Sequence, residues 1–477
     1  MVEAPSAVCA PPPIPGATPN ACERYKDIFD YIPQTGIIAE YCWYAARITD
    51  APAVFHIASI LPVLAFESNH WDISNDAVAG PFQWWSLLVG VSGARKSSAI
   101  HAALNFAQEA LWAPRNATPT PALNLAGSAA GTIVQLREHY QDRARDRVAA
   151  VLYRDEFSDV LRRDADTDPL IELWDGRTIT KLLRSEQKQH AKTGGAPDPN
   201  LGRLPNPRIT GLFATTPAAL ARVVTPAHRE GGLFARLGFI QAQQRKELLD
   251  PLTLSHTEAQ AAQAGALQAW GGWVGWLTGE VATGGTAMVV RTPQHVKQIA
   301  TDLFFEPYRA EIAGSEAMGG ILTRAFNRVL QLASLYALSR GSWDVDDDDM
   351  MAAVNFTNRM LRDTRAIYAT LHDDPEMRDV AQIRGAFERA DAQTGQFLRL
   401  SQLISLSGLH RRRAIMALEH LVDAGQLQAK PVGGGRNMGR PTFQYCLTPL
   451  GQAKLAQPQT EESSEPTDPD PDPSAVN

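Results

Sequence analysis

Between Tyr25 and Glu67 apolar residues recur at helical spacing, interrupted by Pro33, Pro52 and Pro62. That spacing predicts several short packed helices, a helical N-terminal region over 23–80. From Phe82 to Gly90 the rhythm changes to a continuous apolar run ending in glycine, the pattern of a parallel strand buried on both faces. Similar runs follow at Ala149–Tyr153, Ile209–Ala214 and Leu237–Gln241, with helical or loop stretches between them. Such alternation predicts an α/β core over 81–254, a parallel sheet with flanking helices.

From 255 to 385 the chain reads as a mostly helical lid, and ILTRAFNRVLQLASLYALSR, Ile321–Arg340, is an amphipathic helix with one buried face. The stretch 386–455 has another rhythm: a short helix, a turn at Ser407-Gly408, a longer helix, then two strand-like pieces around a Gly-rich loop. That is the element order of a winged helix-turn-helix. No internal repeat of solenoid period occurs.

Composition adds limits. At 477 residues the chain is too long for one compact core. Its 44% hydrophobic and 20% charged content excludes a fibre or a wholly disordered chain. The Pro/Ala-rich leader 1–22 and the acidic, proline-rich tail 456–477 are expected to be disordered, because neither can bury enough apolar surface to offset its ordering entropy. A net charge of -7 gives no global basic field, so any nucleic-acid contact must come from a local patch. Cys9, Cys22, Cys42 and Cys446 are too scattered for a zinc knuckle or a disulfide framework and read as reduced thiols. MVEAPSAVCAPPPIPG lacks a basic region before an apolar core, and no apolar run approaches membrane-spanning length, so a cytoplasmic location without a membrane partner is expected.

Candidate chemistry begins at LLVGVSGARKSSAI, Leu87–Ile100. A phosphate-binding loop needs a glycine-rich turn whose N–H groups surround phosphates, a lysine for the β/γ-phosphates and a hydroxyl for Mg²⁺. Gly90, Gly93, Lys96 and Ser97 fit that template, with Ala94, Arg95 and Ser98 completing the loop and helix start. Arg95 departs from it, since glycine ordinarily precedes the lysine; its side chain must then point outward. A surface loop that starts a helix with a lysine is the plainer reading. Downstream, VAAVLYRDEFSDVL places Asp155 and Glu156 at a strand end, suited to holding Mg²⁺ and polarising a water, or else to capping the next helix. ITGLFATTPAAL ends a strand in Thr215 and Thr216, groups that could orient a water or start a helix. GGLFARLGFI sets Arg236 just before another apolar piece, as a surface residue or a transition-state arginine given to a neighbouring subunit.

The order GVSGARKSS, YRDEFSDVL, IELWDGRTITK, FATTP and LFARLGF resembles the ATPase core of MCM-type AAA+ helicases and of helicase-like P-loop proteins carried by prophages and plasmids. The resemblance covers 81–245 and extends loosely into the lid. It implies ATP and Mg²⁺ bound through Lys96, Ser97 and Asp155, Glu156 as catalytic base, Thr216 as first sensor, Arg236 (or Arg229) as trans finger and Arg324 as second sensor. MCM loops tolerate a non-glycine residue before the lysine, as Arg95 would require. Thr216 departs from the family's asparagine, and the N-terminal region is too short for an MCM's oligonucleotide-binding and zinc domains, so the prophage and plasmid relatives are the nearer model.

In a winged helix the second helix enters the major groove and the wing touches phosphates. Arg411, Arg412 and Arg413 would open that helix, and Arg436 and Arg440 would lie in the wing, a basic footprint within an acidic chain. Protein docking with solvated arginines is the other reading. Arg177 and Lys181 are candidates for a pore-facing hairpin, and Trp84, Trp85, Trp270, Trp273 and Trp276 read as packing residues. Asp346–Asp349 reads as a helix cap. Together these imply an ATP-dependent, ring-forming DNA helicase or translocase, a homo-hexamer serving replication of a mobile element, with a primase or replication initiator as a further candidate partner. The alternatives are an ATP-switched DNA-binding regulator or defence ATPase without unwinding, and a DNA-binding scaffold with a dead loop.

Overall fold

The computed structural model describes residues 28–449 apart from 116, 118–119, 126–128, 143–145, 164–167, 181–202, 225–227, 229–231, 243–255, 285–287, 315, 369–370, 372–374, 391, 393–395 and 433–441. By spatial contact the chain divides into two units, 1–366 and 367–477.

The first unit opens with helices α1 (Ile37–Ile48) and α2 (Ala53–His70) and a two-residue strand β1 (Ser74–Asn75). The core strands are β2 (Trp85–Val89), β3 (Ala122–Asn124), β5 (Arg147–Arg154), β6 (Pro207–Thr215) and β7 (Gly238–Gln241), with a short β4 (Gln141–Asp142) antiparallel to β5. All neighbours in the spatial order β3-β5-β6-β2-β7 run parallel, so their C-terminal ends share one edge. Each strand expected from a continuous apolar run is present. Every residue of β2 is buried, which is why polar positions do not alternate there. The expected runs missed β3, which is three residues long and has no buried position.

Between the strands lie α3 (Lys96–Ala107), α4 (Ala129–His139), α5 (Phe157–Arg163), α6 (Asp168–Asp175) and α7 (Pro217–Val223). Pro62 does not break the chain as expected: α2 runs through it, with Phe55 to Asn69 wholly buried. That burial, against the sheet and against α1 and α3, offsets an interior-proline cost of roughly 3 kcal/mol. The segment read as an N-terminal region is thus part of the sheet's own core. Asp72 ties it down further, accepting from Arg147 and Arg208 at the N-terminal ends of β5 and β6.

The helical remainder comprises α8 (His256–Gly284), β8 (Val289–Val290, parallel to β1), α9 (Gln294–Ala300), α10 (Glu306–Gly314), α11 (Glu316–Ser339) and α12 (Asp347–Tyr368). α8 packs on α1, where Trp270 donates to the Ile37 carbonyl at 2.8 Å, and Trp273 ties it to α11 by donating to the Leu338 carbonyl at 2.6 Å. Trp84 and Trp85 are also buried, and Trp276 packs at a tilt against Trp343. Asp346 does cap α12, its carboxylate accepting from the Asp349 N–H at 2.9 Å.

The second unit holds α13 (Pro375–Arg389), β9 (Leu398–Arg399), α14 (Leu400–Ser407), α15 (Arg411–Asp423), β10 (Leu427–Val432) and β11 (Thr442–Leu447). The three strands form an antiparallel sheet in the order β10-β11-β9. Gly408, at φ 67, ends α14 in the left-handed conformation that glycine adopts without strain. Ile383, Leu403, Ala414 and Leu418 are fully buried in one core. Among the described residues no helix is long and apolar enough to cross a membrane, and Cys42 and Cys446 are buried and not in a disulfide.

Candidate functional site

The loop Gly90–Arg95 joins the end of β2 to α3. Gly90 packs so closely that a Cβ there would lie 2.9 Å from the Ala242 carbonyl oxygen and from the Ala94 side chain. Gly93 turns the loop at φ 86. Arg95 sits at φ 59, ψ 26, the left-handed conformation that glycine would take without strain, and it supplies no side-chain cap to α3. As expected, its side chain points outward, paired with Asp50 at 2.9 Å. The first-turn N–H groups of α3 thus have no capping side chain, the arrangement that favours an anion.

Lys96, the first residue of α3, folds back on the loop and donates to the Gly90 and Val91 carbonyls at 2.8 and 2.9 Å. Burial lowers its pKa, and the charge of Glu156 partly opposes this. Ala94 is buried, Ser98 half-buried, and Ser97 exposed at the helix start.

Strand order brings the other candidates alongside. β6 lies between β2 and β5, so the ends bearing the loop, Thr215-Thr216 and Asp155-Glu156 are neighbours on one edge. The crevice at the C-terminal ends of parallel strands is the ordinary place for a ligand in such a sheet. Glu156 is exposed; Asp155 is half-buried, and its Oδ1 is buried without a hydrogen bond. Thr216 accepts from the Ala219 N–H at 3.1 Å as N-cap of α7, so the helix-start reading holds. Thr215 is the less committed threonine: its hydroxyl is buried and makes no hydrogen bond, while its carbonyl accepts from Gly90 N–H at 3.3 Å.

The sequence pattern does not single out His101, yet its Nε2 lies 3.4 Å from Asp155 Oδ2. The signal was available, because His101 stands four residues after Ser97 and therefore shares its helix face. Among the described residues no cluster of three or more His, Cys, Asp or Glu could hold a metal. Ser97 and the partnerless Asp155 Oδ1 are oxygen donors only, which fits a magnesium ion that completes its shell with phosphate and water.

Arg236 and Arg324 are not on this edge. Arg236 precedes β7, so it lies at the N-terminal end of the sheet, a strand length of roughly 15 Å from the loop. It is buried, and Asp175 accepts three hydrogen bonds from it at 2.8–3.0 Å. The Trp174 ring lies 5.4 Å from its guanidinium. Arg328 holds the same corner, donating to the Arg236 carbonyl at 2.8 Å. Burial, then the charge of Arg324, lowers its pKa to about 10. Arg324 itself is lowered by burial and then by Arg236, with Asp175 opposing, so the expected second sensor groups with the expected finger and not with the loop. Arg177 is exposed, 3.8 Å from Asp175. Ile179 and Leu204 pair antiparallel, and the residues 181–202 between them lie outside the described ones.

In the second unit Arg411 and Arg412 are exposed and make no ion pair among the described residues, whereas Arg413 is held by Asp379 of α13. Arg229, Lys181, Arg436 and Arg440 lie outside the described residues. No family model matches the chain, and no curated protein matches it.

Proposed function

We propose that the chain is an ATP-dependent DNA helicase or translocase that acts as a ring and serves replication of a mobile element. The observation that carries the reading is the edge where an uncapped helix start with its buried lysine, an acidic pair and a buried free hydroxyl lie on three adjacent strand ends. Lys96 and the loop N–H groups hold the phosphates of ATP, Glu156 accepts the proton of the attacking water, and Thr215 or Thr216 orients it. Ser97 and Asp155 would hold magnesium, which supplies neutralising charge beside the β- and γ-phosphates.

Arg236 and Arg324 cannot reach the ATP of their own chain from the opposite end of the sheet. They are suited to the ATP of a neighbouring copy, the reason to favour a closed ring, a homo-hexamer in this reading. The 386–455 region is a winged helix in this proposal, with Arg411 and Arg412 as its free cations for DNA. A nucleotide-switched regulator is the second reading, and the Arg236–Asp175 pairing within one chain favours it, because a finger so held is not offered to a neighbour.

Steady-state ATP hydrolysis by the purified chain, with and without single-stranded DNA, tests the proposal. Turnover is expected to rise with DNA and to fall on the order of 10²–10³-fold or more in Lys96→Ala. Undiminished turnover in that variant removes the loop assignment. Turnover without DNA stimulation or strand displacement selects the switch.

A further inference from the structure

A polar cavity of about 480 Å³, lined by no residue of the loop, lies in the first unit between α10, α12 and the segment before α1. Its size falls in the range of roughly 300–1,000 Å³ usual for small-molecule sites. One wall is a stripe along α12: Asn355, Asn358, Arg362 and Arg365 at spacings of three, four and three residues, one face of a helix. Tyr31 and Tyr308, from the other two elements, also line it.

The hydrogen bonds within this cavity leave a defined set of groups uncommitted. Tyr308 donates to Asn358 Oδ1 at 3.1 Å, which leaves the Asn358 amide N–H groups as donors. Asn355 donates to the Asp30 carbonyl at 3.1 Å, which leaves its own side-chain oxygen as acceptor. Arg365 is paired with Glu311 at 2.6 Å and lies over the Tyr308 ring at 5.3 Å. Arg362 is exposed and makes no hydrogen bond or salt bridge among the described residues, although its charge acts on the adjacent Asp363 carboxylate.

From this arrangement we infer that the cavity binds a nucleoside 5′-phosphate unit, independently of the loop at the sheet edge. The guanidinium of Arg362 presents a planar fork of donors suited to a phosphate. A free acceptor and a free donor three residues apart match the mixed donor and acceptor edge of a nucleobase, which asparagine reads well. Tyrosine rings stack bases of any identity. Asp30, the one acid lining the cavity, suits a ribose hydroxyl and disfavours a bare anion. The unit could be a free nucleotide or one residue of a nucleic-acid strand, since both present the same chemistry.

The test is calorimetric titration of the full chain carrying Lys96→Ala, which silences the loop, with AMP, with inorganic phosphate and with a 5′-phosphorylated oligoadenylate. AMP or the oligoadenylate should bind, and Arg362→Ala should weaken that binding on the order of tenfold or more. The tighter of the two identifies the source. Asn358→Ala should weaken it too, while leaving binding of phosphate alone unchanged. No binding by either nucleotide, binding untouched by Arg362→Ala, or phosphate alone binding as tightly as AMP would overturn the inference. Arg362 is exposed, so its substitution should leave thermal unfolding unchanged and a loss of binding cannot be laid to misfolding.

Discussion

At the C-terminal ends of β5 and β6, Asp155 Oδ1 and Thr215 Oγ1 are buried with no hydrogen-bond partner. At the other end of the same sheet, Asp175 takes three bonds from Arg236, and Arg328 donates to the backbone carbonyls of Arg236 and Leu237. A buried polar group without a partner costs about 1–3 kcal/mol, so a fold that keeps two of them beside an uncapped helix start leaves room for something else to complete them. The arginine corner pairs its charges within the chain, although Trp174 Nε1 beside it is buried without a partner. Its groups hold the fold together and must be released before they can act on another molecule. The two ends of one sheet therefore differ in kind, one with buried oxygens that lack a hydrogen-bond partner and the other with a guanidinium and a carboxylate paired within the chain.

The largest effect on this contrast is expected from Asp175→Ala. It leaves the guanidinium of Arg236 buried without its carboxylate, and breaking such a pair costs about 3 kcal/mol, a fall of several degrees in thermal unfolding. Removing both partners, Asp175→Ala with Arg236→Met, should restore most of that loss, because two matched apolar groups need no partner. If the single variant unfolds at the temperature of the parent, the corner is not a clamp and the contrast fails.

The two threonines sharpen the other end. Thr215→Val removes a hydroxyl that is buried and unpaired, so stability should hold or rise by up to about 1 kcal/mol while ATP turnover falls on the order of tenfold. Thr216→Val removes a helix cap and should instead lower stability by about 1 kcal/mol. Thermal unfolding and turnover measured on both variants separate the roles. Unchanged turnover in Thr215→Val would mean that the Thr215 hydroxyl takes no part at that edge, leaving Asp155 Oδ1 as its unpaired buried oxygen among the described residues.

The same contrast explains what was legible in the sequence. The loop-bearing end could be read because its signals are local: a continuous apolar run before Gly90, a lysine and serine at a helix start, and an acidic pair after another run. Strands buried on both faces, such as β2, announce themselves, whereas the three-residue β3 does not. The arginine corner was invisible because Arg236 and Asp175 lie 61 residues apart, and nothing in either stretch names the other. Pro62 misled for a related reason: its local rule was outweighed by burial of the whole helix around it. The choice between Thr215 and Thr216 likewise needed the hydrogen bonds, since both readings of Thr-Thr-Pro were open until one hydroxyl was seen to cap.

The smallest expected effect falls at Arg95, where the two kinds of end meet in one residue. Its backbone takes the left-handed conformation, which costs a non-glycine residue roughly 1–2 kcal/mol, and its side chain is returned to the fold through Asp50. Half of that side chain is exposed, so the ion pair contributes about 0–1 kcal/mol and does not recover the backbone cost. Arg95→Gly should therefore raise stability by up to about 1 kcal/mol, with turnover equal to the parent or a few-fold higher because the loop can close more tightly. Asp50→Ala, which removes the pair and keeps the backbone strain, should lower stability by no more than about 1 kcal/mol. Should Arg95→Gly prove the less stable protein, the Arg95–Asp50 pair would outweigh the strain, and the loop would belong, like the arginine corner, to the clamped part of the molecule.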